Sequence, residues 1–213
     1  MDISGLVLFE NNPYFFLAAF AILGGGIKYI DDAFDERTFS KDRAVFTAPV
    51  LGVLWAYTSL VNGAAGTILL AIILSVFLTG KIDNRAHKIG LVTVIALLIL
   101  AGFEIMWIPL AVLVIAGIFD EKGNDIMDEK AKSFTFNGTI KKFIIQFFRY
   151  RCVMKIGVVA LTIIGTIPIY LFAAFLLFDI AYHIVSKISK KKKTGSSDLA
   201  LPWFGQNFSF LDS

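Results

Sequence analysis

Apolar runs bounded by glycine, proline or charge recur along the chain at about 12–27, 44–61, 66–80, 89–103, 105–119, 152–166 and 168–185. Runs this long and continuous predict seven membrane-spanning α-helices packed as one all-α bundle. Several reach only about 15 residues, roughly 22 Å at 1.5 Å per residue, which is short against a hydrocarbon core of about 30 Å. Asn62-Gly63-Ala64-Ala65-Gly66, Glu104 and Gly165-Thr166-Ile167-Pro168 mark three of the breaks. Because membrane helices tolerate glycine and proline, 156–183 has two readings: two helices, or one long tilted helix with a kink.

Charge decides between them. The basic residues fall in four groups: Lys28 to Arg43, Lys81 to Lys88, Lys122 to Lys155, and Lys187 to Lys193, which together hold all 20. With seven spans every group faces one side, and the other side carries Asp2, Glu10 and Glu104 with no base. With six, the Lys190–Lys193 run is stranded outside. The positive-inside rule therefore favours seven helices, N-terminus outside and C-terminus cytoplasmic. Residues 1–189 form the transmembrane domain, and 190–213 a basic, then aromatic, cytoplasmic tail with Trp203, Phe204, Phe208 and Phe210. The acidic start, Met1-Asp2-Ile3-Ser4-Gly5, lacks the basic region of a secretory signal, so the first span is expected to be retained.

Composition agrees with a lipid solvent: 57% of the 213 residues are hydrophobic, 17% are charged, and mean hydropathy is +0.74. One cysteine, Cys152, excludes an intrachain disulfide. Gly24-Gly25-Gly26 sits inside an apolar helix with no strand before it and no GK[ST] after it, so it is not a nucleotide loop. Nucleic acid is not an expected partner; membrane lipids are, and the small-residue faces are compatible with an oligomer.

The inner helix ends share a pattern in which an aspartate follows apolar residues: Asp31, Asp83, Asp120 and Asp179. This is the mark of repeated helical hairpins or simply of a membrane boundary. The largest loop has an acidic first part, Asp120 to Glu129, and a basic, aromatic second part. Its 140–151 stretch suits a helix in the headgroup layer or an extension of the next span.

The sharpest chemistry lies in Asp31-Asp32-Ala33-Phe34-Asp35. On a continuing helix, Asp31 and Asp35 are four residues apart and Asp32 and Asp35 three, so their carboxylates share a face and repel unless a cation joins them. Magnesium suits such a site, because it takes carboxylate oxygens and completes its shell with water and substrate phosphate. A solvated, self-pairing loop explains the same residues.

This run, with Arg43 downstream, resembles the first aspartate-rich motif of the UbiA-type intramembrane prenyltransferases. Asp32 and Asp35 match its first two aspartates, Asp31 stands where that family has asparagine, and Phe39 where it has a third aspartate. Asp120, Asp125 and Asp128 stand for the second motif. That family has nine helices and carries its first motif after the second helix, which this chain does not match. The resemblance implies magnesium-dependent prenyl transfer from a lipid diphosphate. The metal set would come from Asp31, Asp32, Asp35, Asp83, Asp120, Asp125 and Asp128. Arg37, Lys41, Arg43, Lys81, Arg85 and Lys88 would offset charge on the leaving group. His87 is a candidate proton carrier, or a surface residue, and His183 a partner for Asp179. Two other classes compete: a cation transporter or channel, suggested by Asp179 and Glu104 near membrane depth, and a noncatalytic scaffold subunit packed through its small residues.

Overall fold

A computed structural model of the chain describes Phe9, residues 12–130 and residues 138–198, apart from the side chains at 128, 130, 138–142, 149 and 195–198. The aromatic tail and the centre of the largest loop lie outside the described residues. Within them the regular structure is helical: α1 Pro13–Phe34, α2 Lys41–Val61, α3 Gly63–Leu78, α4 Arg85–Ala101, α5 Trp107–Lys130, α6 Gly138–Arg149, α7 Cys152–Ile163 and α8 Ile169–Asp198.

Local chemistry sets most boundaries. Asn12, Ser40, Asn62 and Asn84 accept backbone N–H groups at the starts of α1 to α4, and Pro13 occupies the first turn of α1. The break between α2 and α3 is narrower than the five-residue turn expected, because Asn62 alone ends one helix and caps the next. Gly80 and Gly165, at φ +77° and +82°, close α3 and α7. The amide of Lys81 reaches Val76 O at 3.1 Å, and that of Thr166 reaches Leu161 O at 2.9 Å, the six-residue closure of a Schellman motif. Pro168 then bars helical continuation, so 156–183 is two helices rather than one kinked helix.

Other helices overrun their apolar cores. α1 continues to Phe34, α5 to Lys130 and α8 through the lysine run, so Asp31, Asp32, Asp120 and Asp125 are helical rather than loop residues. α6 is a separate helix, because Arg151 adopts φ +48° and turns the chain before α7. Hence 140–151 does not extend the next span.

α1 packs between α2 and α8; α8 continues to α7, α7 to α5, α5 to α3, and α3 returns to α2, while α4 lies against α2. The core fills this ring with Phe16, Phe20 and Leu23 from α1, Ile68 and Leu69 from α3, Leu113 from α5, and Phe175 and Phe178 from α8. The closest crossing depends on Gly24: a Cβ there would lie 2.1 Å from Phe178 O. The triple glycine is thus a packing element between α1 and α8. Three segments are long and apolar enough to cross a membrane: α1, α2 and Ile169–Thr194 of α8. α3 and α7 are apolar but shorter. Large apolar side chains such as Ile99, Leu100, Ile108 and Ile163 point outward, more than 70% exposed, as a lipid-facing surface requires.

Candidate functional site: a charged cavity between the helices

The helix ends that carry charge gather at one end of the bundle. There Lys81 after α3 meets α5, His87 on α4 meets α1, Arg151 before α7 meets α5, and Lys193 on α8 meets Glu36. At the opposite end Asn62 donates to Tyr170 O–H, and Phe15 packs edge-on against Tyr57. Helices α1 to α5, α7 and α8 therefore alternate in direction.

A partly open cavity of about 670 Å³ runs inward from the charged end. Its deep wall is apolar: Ile27, Leu51, Trp55, Ile72, Val94 and Phe178. Toward the charged end the lining changes to Asp31, Asp35, Asp83, Asp120 and Glu121, with Lys28, Lys81, Arg151 and Lys190.

Most of these charges are held by specific partners. Lys28 bridges one helical turn to Asp32 at 3.0 Å. Asp31 accepts from Tyr182 O–H at 3.2 Å and lies 3.0 Å from His87 Nε2. The tautomer of His87 follows from the cap before it: Asn84 Oδ1 takes the His87 amide, so Asn84 Nδ2 faces His87 Nδ1 at 2.8 Å as donor. Nδ1 is then an acceptor, and the ring proton belongs on Nε2, beside Asp31. Across the cavity, Glu121 holds both Lys81 at 2.7 Å and Arg151 at 3.2 Å, and Lys81 also reaches Asp125 at 2.8 Å. Lys28 and Arg151 both lie over the Tyr182 ring, 5.1 and 5.5 Å from its centroid, so this tyrosine joins the two charged walls.

Asp120 has a structural task. Arg151 supplies no side-chain cap to α7, and Asp120 accepts the amides of Val153 at 3.0 Å and Met154 at 2.7 Å in its place. Asp179 pairs with Lys155 at 2.5 Å, and His183 packs its ring on Tyr150. The expected Asp179–His183 pair is superseded by Lys155, which α7 brings alongside.

Outside the helical spans, Asp35 has its pKa raised, first by burial and then by the nearby charges of Asp31 and Asp83. Burial alone would lower Lys81, but its hydrogen bonds to Asp125 and Glu121 outweigh that and leave it above its ordinary value. Glu36 is held low by its hydrogen bond to Lys193.

The expected site residues thus divide. Asp31, Asp35, Asp83, Asp120 and Lys81 line the cavity, with His87. Asp32 is buried behind its wall on Lys28, and Asp125 lies outside on Lys81. Arg37, Lys41, Arg43, Arg85 and Lys88 are exposed and form no part of the wall. The side chain of Asp128 lies outside the described residues. Among the described residues no group of three or more His, Cys, Asp or Glu side chains is placed to hold a metal ion. Asp35 and Asp83 share the cavity wall without an ion-pair partner among them.

Sequence reasoning missed Tyr182, Glu121, Arg151 and Trp55 as lining residues. Tyr182 had a signal: it follows Phe175 and Phe178 at helical spacing, on the buried stripe of α8. Glu121 and Arg151 had none, because their pairing joins positions 30 residues apart. Comparison with protein-family models, curated proteins and solved structures finds no match to this chain.

Proposed function

We propose that the chain is a polytopic membrane enzyme of seven spans that acts on a lipid phosphate or diphosphate, N-terminus outside and C-terminus cytoplasmic. One observation carries the reading: a single cavity joins an apolar trough to a ring of charges at the end of the bundle where the basic segments meet. Such a lining matches an amphipathic anion, with the chain in the trough and the phosphate at the rim. Lys190 supplies positive charge there, Lys28, Lys81 and Arg151 would share theirs between the phosphate and the carboxylates of Asp32, Glu121 and Asp125, and Asp35 with Asp83 would offer magnesium a place against the phosphate oxygens. In its isoprenoid form the activity is prenyl transfer, with loss of diphosphate assisted by Lys81 and Arg151. Of the two carboxylates that first suggested cation transport, Asp179 and Glu104, the first is paired with Lys155, which favours that reading less.

The test is thermal unfolding of the full chain in detergent with geranylgeranyl diphosphate, magnesium, both or neither. A ligand at a hundredfold excess over its Kd stabilises the folded state by about 2.7 kcal/mol. The expected result is a melting shift with the lipid that grows with magnesium, and loss of the magnesium increment in Asp35→Asn. Unchanged melting with every addition, together with no co-purifying lipid phosphate in native mass spectra, overturns the proposal.

A further inference from the structure

The basic, aromatic half of the largest loop has no part in the proposed reaction, yet it forms a helix of its own, α6, packed against α5 and α7. Residues 138–149 carry Lys141, Lys142 and Arg149 and no acid. Their order is strongly amphipathic: Ile140, Phe143, Ile144 and Phe147 recur at i, i+3, i+4 and i+7, while Lys142, Gln146 and Arg149 recur at i, i+4 and i+7. On a helical backbone these two sets of positions fall on separate faces.

Packing defines a third side. Phe148 sits on α5, where a Cβ at Gly123 would lie 2.3 Å from its Cδ1, and it lines the cavity. Phe143, five residues earlier, is about 140° round the helix from it and so faces away from α5. Phe143 is 66% exposed, its ring 6.2 Å from that of Phe147, and Gln146 is exposed beside it. The turn after α6 leads into Arg151, which pairs with Glu121 at the charged end of the bundle. In a membrane-spanning bundle that end is the bilayer boundary.

We infer that α6 lies in the headgroup layer and binds anionic phospholipid, with the face of Phe143 and Phe147 toward the acyl chains and the face of Lys142, Gln146 and Arg149 toward the headgroup phosphates. The inference rests on the membrane-spanning reading and not on the enzymatic one. The apolar face needs only a bilayer, but three bases with no acid select a negatively charged one, where each base strengthens binding about fivefold. Because Phe148 on the same helix lines the cavity, a lipid held on α6 stands beside it.

The experiment puts an environment-sensitive fluorophore on single cysteines, in a Cys152→Ser background, in full chain reconstituted into vesicles of dioleoyl phosphatidylcholine and dioleoyl phosphatidylglycerol. Phe143→Cys and Gln146→Cys report two faces of α6, and Ile22→Cys, 55% exposed in the parent, reports the outer surface of α1, which is long enough to span. The probe at 143 is expected to be quenched by chain-brominated lipid and shielded from acrylamide, and the probe at 146 to be open to acrylamide. At equal mole fraction, brominated phosphatidylglycerol should be preferred over brominated phosphatidylcholine at 143 by about fivefold or more, and Lys142→Gln/Arg149→Gln should bring the two to parity. If acrylamide reaches 143 as readily as 146 while the probe at 22 stays in lipid, the inference is overturned and the face is left to a soluble protein partner. Parity in the parent, or a preference unchanged in the double variant, overturns the anionic assignment. If the probe at 22 is also open to acrylamide, the membrane-spanning reading itself fails, and the inference falls with it.

Discussion

Asp32 and Asp35 look equivalent as letters in a motif, and the structure makes them opposites. Asp32 is buried against Lys28, whereas Asp35 stands near Asp31 and Asp83 and forms no ion pair among the described residues. Removing one partner of a buried pair leaves the other uncompensated, so Asp32→Asn is expected to cost about 3 kcal/mol in reversible unfolding. Asp35→Asn should leave stability at neutral pH unchanged or slightly higher. The sign follows from the raised pKa of Asp35: the folded chain binds this proton more tightly than the unfolded chain, so the contribution is present below the ordinary aspartate pKa and lost as pH rises through the folded value. Parent minus Asp35→Asn stability, followed from pH 4 upward in a denaturant series, should therefore fall with pH. A flat difference, or equal losses for both variants, removes this account. The acidic run was legible in the sequence; which acid meets which base was not, because Lys28 and Asp32 are one helical turn apart while Asp31 depends on His87 and Tyr182 from other helices.

The places and order of the apolar helices were readable because continuous apolar stretches and turn chemistry report on the same backbone, although the described residues form eight helices, of which three are long and apolar enough to cross a membrane. Helix ends were not, since α1, α5 and α8 run beyond their apolar cores into charged residues that retain helical propensity and find partners at one end of the bundle. The triple glycine shows the same limit: its apolar setting excluded a phosphate loop, but only packing tells its members apart. A Cβ on Gly24 meets Phe178 O at 2.1 Å, while one on Gly25 has Val185 at 3.5 Å as its nearest neighbour. Gly24→Ala should separate α1 from α8 and destabilise by about 3 kcal/mol or more, and Gly25→Ala should be neutral within about 0.5 kcal/mol. Unfolding of both in mixed micelles checks this. Similar stabilities would mean that the α1–α8 crossing is looser than described. Trp55 lies along the same crossing, so Gly24→Ala should also change its emission.

At the scale of the molecule, seven alternating helices bring the charged ends together, and the proposed topology puts that end in the cytoplasm. The difficulty is length: α3, with 16 residues, spans about 24 Å, and α7, with 12, about 18 Å, against a core of about 30 Å. Either the bilayer thins around them or α7 stops short of the far surface. Single cysteines in a Cys152→Ser background separate these outcomes when probed with a membrane-impermeant maleimide on intact cells. Asp83→Cys, Lys191→Cys and Glu104→Cys are exposed positions at the charged end, on the lysine run of α8 and at the α4–α5 turn. Ile164→Cys, 74% exposed in the parent, reports the α7–α8 turn. Glu104→Cys and Ile164→Cys are expected to react from outside, and Asp83→Cys and Lys191→Cys only after permeabilisation. Protection of Ile164→Cys alone would make α7 a re-entrant segment within an otherwise correct bundle. Reaction of Lys191→Cys from outside would reverse the sidedness drawn from charge, and with it the placing of the cavity mouth on the cytoplasmic face.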